Sequence, residues 1–345
     1  MVRSGNRIEA EALQSAKELV LDFRNLQDNV VNVVPVLQKA TLTLIYRYLT
    51  HSNPPEKLLP PYLSAITQIR MILLAQSRSV WFLLPRWSYV WFSGLYRDEE
   101  RVLEPIRQFS AQALQVAKPE SPLSQLRAKS SHGSQQDLLD EAVTLLFAGQ
   151  DTGAATLSWT LHLLSLHKDI QDRLAKEVRQ PNNDLTKLPL LDAVIKESMR
   201  LYPVAPFVVR KCVQNILLSD TVTLPREALA CIWIYSLHRN PDIWKDRPNS
   251  FVPERWLSGD LTKLERSAFM PFCAGPRNCL GQPMAHVWLR ILLGTLIQTF
   301  EFIDERLESA GRHDTAEDPE DFYLDMQAGF TVLPAGGVNL RVRQR

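Results

Sequence analysis

The chain has 345 residues, 45% hydrophobic and 22% charged, a balance that fits a globular protein with a large core rather than a disordered or fibrous one. A formal net charge of +1 supplies no basic excess, so no nucleic-acid partner is expected. Cys212, Cys231, Cys273 and Cys279 form no CxxC pair and no regular spacing, which argues against a zinc site or a secreted disulfide framework and for a reducing compartment.

The N-terminus, MVRSGNRIEAEALQ, lacks the apolar run of a signal peptide or membrane span. Residues 8–50 predict two packing helices. The first carries Ile8, Leu13, Leu19 and Phe23 among charges, and the second, from near Pro35, places Val36, Ala40, Leu44 and Tyr48 four apart on one face. Pro54, Pro55, Pro60 and Pro61 break the chain before a third helix from Tyr62 to Gln76. The aromatic stretch SVWFLLPRWSYVWFSGLY, residues 79–96, is interrupted by Pro85 and Arg86, short of the roughly 20 apolar residues that cross a bilayer. It reads either as an aromatic corner of the core or as an amphipathic surface that dips into a membrane interface, where Trp and Arg both sit comfortably. A charged helix from Arg97 to Ala117 and a polar surface linker, KPESPLSQLRAKSSHGS, come next. Ser134 then offers an N-cap, supported by Asp137.

The helix it opens is apolar nearly all round from Ala142 to Leu166 and must be buried on most sides. Within it lies Ala148-Gly149-Gln150-Asp151-Thr152-Gly153. A glycine in a helix interior costs about 1 kcal/mol relative to alanine, so two of them indicate a close approach. A buried carboxylate needs a partner, which makes Asp151 beside Thr152 a functional candidate. An amphipathic helix from Asp169 to Val178 precedes one that starts at Pro189 and ends at Pro203, on which Glu197 and Arg200 are three apart and able to pair. The runs PVAPFVVRKC and LACIWIYSLHRNP predict a small sheet. Arg210 is a charge at a strand end there, and His238, with no partner at ligand spacing, reads as an ordinary satisfied histidine.

The loop FMPFCAGPRNCLG, residues 269–281, is built to present a thiolate: Gly275 and Gly281 permit turns that a β-carbon would block, and Arg277 stands two residues from the Cys279 sulfur. The following helix, PMAHVWLRILLGTLIQTFEF, tolerates Pro283 in its first turn. The tail ends in FTVLPAGGVNLRVR, a predicted β-hairpin turning at Gly336-Gly337.

Phe272, Gly275, Arg277, Cys279 and Gly281 stand together in a pattern that resembles the haem-ligand loop of the cytochrome P-450 superfamily, microsomal type. The resemblance covers essentially the whole chain. It implies a mainly α, helix-rich single domain with small β-sheets over residues 1–345, in which 1–133 match the region of helices D to G. Residues 134–345 then match the central helix, the K helix, the haem-ligand loop and the C-terminal sheet. It also implies a fold shortened at its start, without the N-terminal anchor, the first sheet strands and helices B and C.

On this resemblance Cys279 is the axial thiolate of haem b, pushing electron density toward the iron and favouring O–O cleavage. Arg277 would meet a haem propionate, Phe272 would pack near the sulfur, and Gly275 and Gly281 would let the loop pass close to the porphyrin. Ala148 and Gly149 match the small pair that leaves room for oxygen and substrate, and Asp151 and Thr152 match the acid and alcohol that handle protons for dioxygen. Gly153 departs from the Thr or Ser of many members. Arg210 matches an arginine that reaches a propionate, while Glu197 and Arg200 resemble the family's Glu-x-x-Arg, completed by Arg255 of Pro253-Glu254-Arg255-Trp256 in a structural network. The implied activity is insertion of one oxygen atom from dioxygen into an apolar substrate, such as a lipid, fatty acid or sterol-like molecule, with electrons from a reductase. The implied setting is intracellular, peripheral on the endoplasmic reticulum membrane through residues 79–96. Two further readings stay open: a haem-thiolate isomerase or dehydratase that uses no dioxygen, and a non-catalytic shortened member that binds haem weakly.

Overall fold

The computed structural model describes residues 2–79, 84, 86–92, 94–129, 134–181, 183–309, 323–327 and 331–345. In chain order the elements are α1 (Val2–Arg24), β1 (Val30–Asn32), α2 (Val33–Thr50), α3 (Leu59–Ser77), α4 (Arg86–Phe92), α5 (Gly94–Val116), α6 (Pro122–Lys129), α7 (Gln135–Leu166), α8 (Lys168–Val178) and α9 (Pro189–Leu201). They continue with β2 (Val208–Lys211), β3 (Ile216–Ser219), β4 (Val222–Leu224), β5 (Leu229–Ile232), α10 (Ile234–Leu237), α11 (Lys263–Ala268), α12 (Gln282–Thr299), β6 (Phe300–Asp304), α13 (Glu305–Ser309), β7 (Met326–Gln327), β8 (Leu333–Pro334) and β9 (Asn339–Gln344). This is the helix-rich fold with small antiparallel sheets that the sequence pattern implies.

The 32 residues of α7 begin at a reciprocal cap: Asp137 N donates to Ser134 Oγ at 3.1 Å, and Ser134 N donates to the Asp137 carboxylate at 2.8 Å. From Ala154 to Leu166 every residue is buried, as an all-round apolar pattern requires. Close packing against α2 explains Gly149 but not Gly153, where a β-carbon would make only an ordinary contact. A β-carbon added at Gly149 would stand 2.6 Å from Ile45 Cγ1, and one at Gly153 3.4 Å from Thr41 Cγ2. Thr41 also donates to Gln150 O at 2.9 Å, so the two backbones are tied as well as packed. Trp159 stacks on Tyr202 of the segment after α9, with ring centroids 3.9 Å apart, and donates from its indole nitrogen to Val332 O.

Several boundaries differ from the sequence expectation. Asn32 accepts from Val34 N, so α2 starts at Val33 with Pro35 in its first turn. Pro60 and Pro61 likewise fall in the first turn of α3 instead of ending the chain's order, because a proline there forfeits no helical hydrogen bond. Part of the expected polar linker is α6, whose Leu123 is fully buried; residues 130–133 lie outside the described residues. The last residues assigned by pattern to α12 form β6, where Phe300 and Phe302 alternate inward and pack on Phe23.

The expected terminal hairpin is also replaced. β8 pairs with β7, while β9 pairs antiparallel with both β1 and β6 in a three-stranded sheet of order β1-β9-β6. Gly336 and Gly337 do turn the chain, at φ +77° and +83°, but they deliver it to Asn32. Asn32 Oδ1 accepts from Val338 N, and a β-carbon at Gly337 would fall 2.2 Å from the Asn32 amide nitrogen. Strands β2 to β5 pair as β2 with β5 and β3 with β4, leaving Val213, Leu217, Leu229 and Trp233 exposed.

Candidate functional site

Glu197 and Arg200 pair as their spacing implies, and Arg255 joins them as the family resemblance implies. The Glu197 carboxylate, fully buried on α9, accepts from Arg200 Nε and Nη2 at 3.0 and 2.8 Å, from Arg255 Nε at 3.0 Å, from Val252 N at 3.0 Å and from Trp256 Nε1 at 2.8 Å. The arginines use their remaining donors on carbonyls: Arg200 on His238, Pro248 and Ser250, Arg255 on Asp246 and Arg247. A buried carboxylate with this many donors has its desolvation offset by charge-assisted bonds. The network therefore fixes the segment 238–256 against α9.

His238 carries that rigidity toward the cysteine loop. Its Nε2 accepts from Met270 N at 2.8 Å and its Nδ1 lies 3.2 Å from Arg200 O, which fixes the neutral ring with the proton on Nδ1. Burial pushes its pKa down to about 4. Spacing alone assigns this histidine no role beyond being satisfied, and the structure makes it the strut between the ion network and the loop.

From Met270 the loop is held by its own backbone. Cys273 N donates to Met270 O at 3.0 Å, Asn278 N to Gly275 O at 3.1 Å, and Cys279 N to Phe272 O at 2.9 Å. Cys273 takes φ +61° and Gly275 φ +79°, so the loop turns through two left-handed residues before α12 begins at Gln282. Arg277, Cys279 and Gly275 are exposed, and Leu280 is 87% exposed. Phe272 is half-buried with its ring centroid 5.0 Å from that of His286. A soft sulfur donor, an exposed leucine and the fixed cation Arg277, in a loop where a β-carbon at Gly275 would meet no atom within 4 Å, together with Arg210 on β2, whose charge acts on Cys273, suit a flat apolar ligand bearing acids at its edge. Among the described residues no group of three or more His, Cys, Asp or Glu could hold a metal ion.

On α7, Ala148 is exposed and Gly149 and Thr152 are half-buried, whereas Gln150 and Asp151 are buried. Thr152 Oγ1 donates to Ala148 O at 2.8 Å, which leaves its lone pairs able to accept. Asp151 has no exposed surface. Its carboxylate forms an ion pair with Arg70 of α3 and accepts a hydrogen bond from Thr331 Oγ1 beside β8. Burial pulls Arg70 down to about 10, which leaves it charged at neutral pH. Sequence reasoning missed Arg70, although one signal was present: it is the lone charge between Leu63 and Gln76. Arg210, expected near the site, is exposed at the end of β2 and donates to Val209 O. Of the aromatic segment 79–96, residues 80–83, 85 and 93 lie outside the described residues; α4 within it exposes Trp87 by 63%. No described helix is long and apolar enough to cross a membrane.

These features place the chain in a family. The cytochrome P450 family pattern matches residues 2–317, and the chain belongs to that family. It is 38% identical to cytochrome P450 4F5 of Rattus norvegicus over 196 residues, which are 53% of this chain and 37% of that protein. It is 38% identical to cytochrome P450 4F12 of Homo sapiens over 185 residues, 51% of this chain and 35% of that protein. To leukotriene-B4 omega-hydroxylase 3 of Mus musculus it is 37% identical, again over 185 residues, 51% and 35% of the two chains. The matched stretch thus spans little more than a third of these relatives.

Proposed function

We propose that this chain is a haem-thiolate monooxygenase that inserts one oxygen atom from dioxygen into an apolar, lipid-like substrate. The observation that carries the reading is the exposed Cys279 in a loop braced from below by His238 and the Glu197 network, in a chain of the cytochrome P450 family. The lipid class is supported by the name of one relative, a leukotriene-B4 omega-hydroxylase.

In this reading the haem supplies the redox chemistry that activates dioxygen, and the chain supplies the rest. Cys279 Sγ would hold the iron, presented by a loop whose hydrogen bonds run along the backbone. Arg277 and Arg210 would hold the propionates through charge-assisted bonds. Phe272 shields the sulfur, and Gly275 and Gly281 allow the close approach. Ala148 leaves space over the open face of α7, and Gly149 lets α7 keep its place against α2. Thr152 Oγ1, whose lone pairs remain able to accept, would hold a proton-bearing water there, and Asp151 is the neighbouring acid. Electrons come from a reductase, and peripheral contact with the endoplasmic reticulum membrane runs through residues 79–96, where Trp87 is exposed.

The test is the ferrous carbonyl spectrum of the haem-loaded protein. Cys279→Ser is expected to abolish the thiolate band and Cys273→Ser to leave it. A band lost in Cys273→Ser and kept in Cys279→Ser would overturn the assignment of the ligand.

A further inference from the structure

Cys273 and Cys279 are both free thiols in one loop. The hydrogen bond from Cys279 N to Phe272 O, 2.9 Å long, closes that loop and limits how far apart they can stand. Phe272 O and Cys273 Cα belong to one planar peptide, and Cys279 Cα is a single bond from the donor nitrogen. With the bend that a hydrogen bond makes at an amide nitrogen, the two α-carbons lie within about 6.6 Å of each other. Disulfides form at Cα separations of roughly 4.4–6.8 Å, so the loop can be bridged without moving its backbone far. The Cys279 thiol is also near enough to act electrostatically on that of Cys273.

The two sulfurs differ in access. Cys279 is exposed and Cys273 half-buried, so an oxidant arriving from solution meets Cys279 first. Cys273 takes φ +61°, a left-handed conformation that a β-carbon disfavours and glycine adopts freely. A cysteine stands there although glycine would fit with less strain. Of the other two cysteines, Cys212 is buried, and Cys231 on β5 faces Val209 across the β2–β5 ladder, so its neighbour in the sheet is not a thiol.

We propose that Cys273 is a resolving thiol for Cys279: once a hydroperoxide has oxidised Cys279, the two cysteines close a reversible disulfide that spares the Cys279 sulfur from further oxidation. In the first step Cys279, reacting as its thiolate, attacks one peroxide oxygen. The O–O bond breaks, the other oxygen leaves as an alcohol or water after taking up a proton, and the sulfur, two electrons poorer, becomes a sulfenic acid. In the second, the Cys273 sulfur attacks the Cys279 sulfur, the S–O bond breaks and the hydroxyl leaves as water with the Cys273 proton. Two thiols and one hydroperoxide thus give a disulfide, water and the alcohol, and a dithiol reductant returns both thiols. A bridged sulfur is no thiolate and cannot hold iron. That consequence rests on the monooxygenase reading; the disulfide itself rests only on the loop.

The experiment treats the purified full chain, before haem is added, with a limiting amount of hydrogen peroxide, alkylates the remaining thiols and maps tryptic peptides by mass spectrometry. Arg277 lies between the two cysteines, so trypsin separates them and a bridge appears as a cross-linked pair of peptides. In the wild type, Cys273 and Cys279 are expected to leave the alkylated pool together, as that pair, and to return to it after dithiothreitol. In Cys273→Ser, Cys279 is expected to gain two or three oxygens that dithiothreitol does not remove. Cys273→Gly suits φ +61°, is expected to behave as the serine variant does, and serves in its place should serine fail to fold. Wild-type Cys273 still open to alkylation after peroxide, a bridge from Cys279 to Cys231 or Cys212, or full recovery of the Cys279 thiol in both variants would overturn the proposal. No step needs bound haem, so failure of the bridge is distinguishable from failure of the monooxygenase reading, which the carbonyl spectrum of Cys279→Ser decides.

Discussion

Replacing Glu197 by alanine removes the acceptor for two guanidinium groups, one backbone amide and one indole, all within 3.0 Å. Breaking a buried pair from one side costs about 3–5 kcal/mol because the surviving charge is uncompensated. Here two arginines survive, Arg200 fully buried and Arg255 with 7% of its side chain exposed. The orphaned Val252 N–H and Trp256 N–H each add about 1–3 kcal/mol. The loss therefore reaches at least about 5 kcal/mol, comparable with the lower end of a domain's total stability of roughly 5–15 kcal/mol. At about 2–4 °C per kcal/mol, Tm should fall by 10 °C or more, measured by far-ultraviolet circular dichroism on whatever soluble protein accumulates. Glu197→Gln, which keeps one acceptor oxygen and loses the charge, should fall between the two. The exposed pair of Asp184 and Lys187 is the control, and Lys187→Ala should leave Tm nearly unchanged because solvent screens that interaction. A Tm for Glu197→Ala within about 3 °C of the wild type would refute the claim that this network carries folding energy.

Three other outcomes follow from the same contacts. His162 is fully buried, neither ring nitrogen has a hydrogen-bond partner, the nearest acid oxygen is Asp304 Oδ2 at 3.9 Å from Nδ1, and burial pushes its pKa from 6.5 down to about 3. Between those values the unfolded chain holds a proton that the folded His162 does not, so stability is lost as pH falls, by roughly 2 kcal/mol from this group by pH 5. His238 adds a slope of the same sign between 6.5 and about 4. His162→Phe should flatten the pH dependence of urea midpoints below pH 6.5, and an unchanged slope would count against it. Gly149→Ala should destabilise by about 1–3 kcal/mol through the clash with Ile45, and the combination with Ile45→Ala should be less damaging than the sum of the two; additive urea midpoints would show that α2 does not press on that glycine. Thr152→Ala should keep haem binding while diverting reducing equivalents to peroxide, measured as peroxide formed per electron consumed, and unchanged coupling would remove the hydroxyl from the proton path.

The strongest sequence signals were those in which one short window contained the whole interaction. Glu197 and Arg200 are three apart on one helix face, so their pairing is local, and the Ser134–Asp137 cap is readable for the same reason. The Cys279 loop is legible in part because its turn at Gly275, φ +79°, favours glycine four residues before the sulfur, whereas Gly281, at φ −80°, is not required by the backbone. Where partners come from distant segments the window is blind. Arg70 and Asp151 meet from α3 and α7, and only the oddity of one charge in an apolar helix hinted that Arg70 had a buried partner. β1 is three residues long, too short to show a period of two, and it exists because β9 supplies its hydrogen bonds. The Gly336-Gly337 turn was recognised as a turn, but its destination was set by Asn32, which no local pattern could reveal.

That last seam carries a consequence for biosynthesis. Val30 pairs with Arg341 and Asn32 with Asn339, so the strand that opens α2 cannot be completed until the other end of the interaction has been translated. α1 is in the same position, since Phe23 packs on Phe300 and Phe302 of β6. The entropy of closing a loop this long grows only slowly with length, but the delay on a ribosome grows in proportion to it. While the chain lengthens, Ala12, Ala16, Leu19 and Phe23 have no apolar surface of α12 or β6 to cover them. Folding of the N-terminal third should therefore register in pulse proteolysis only after β9 has left the exit tunnel.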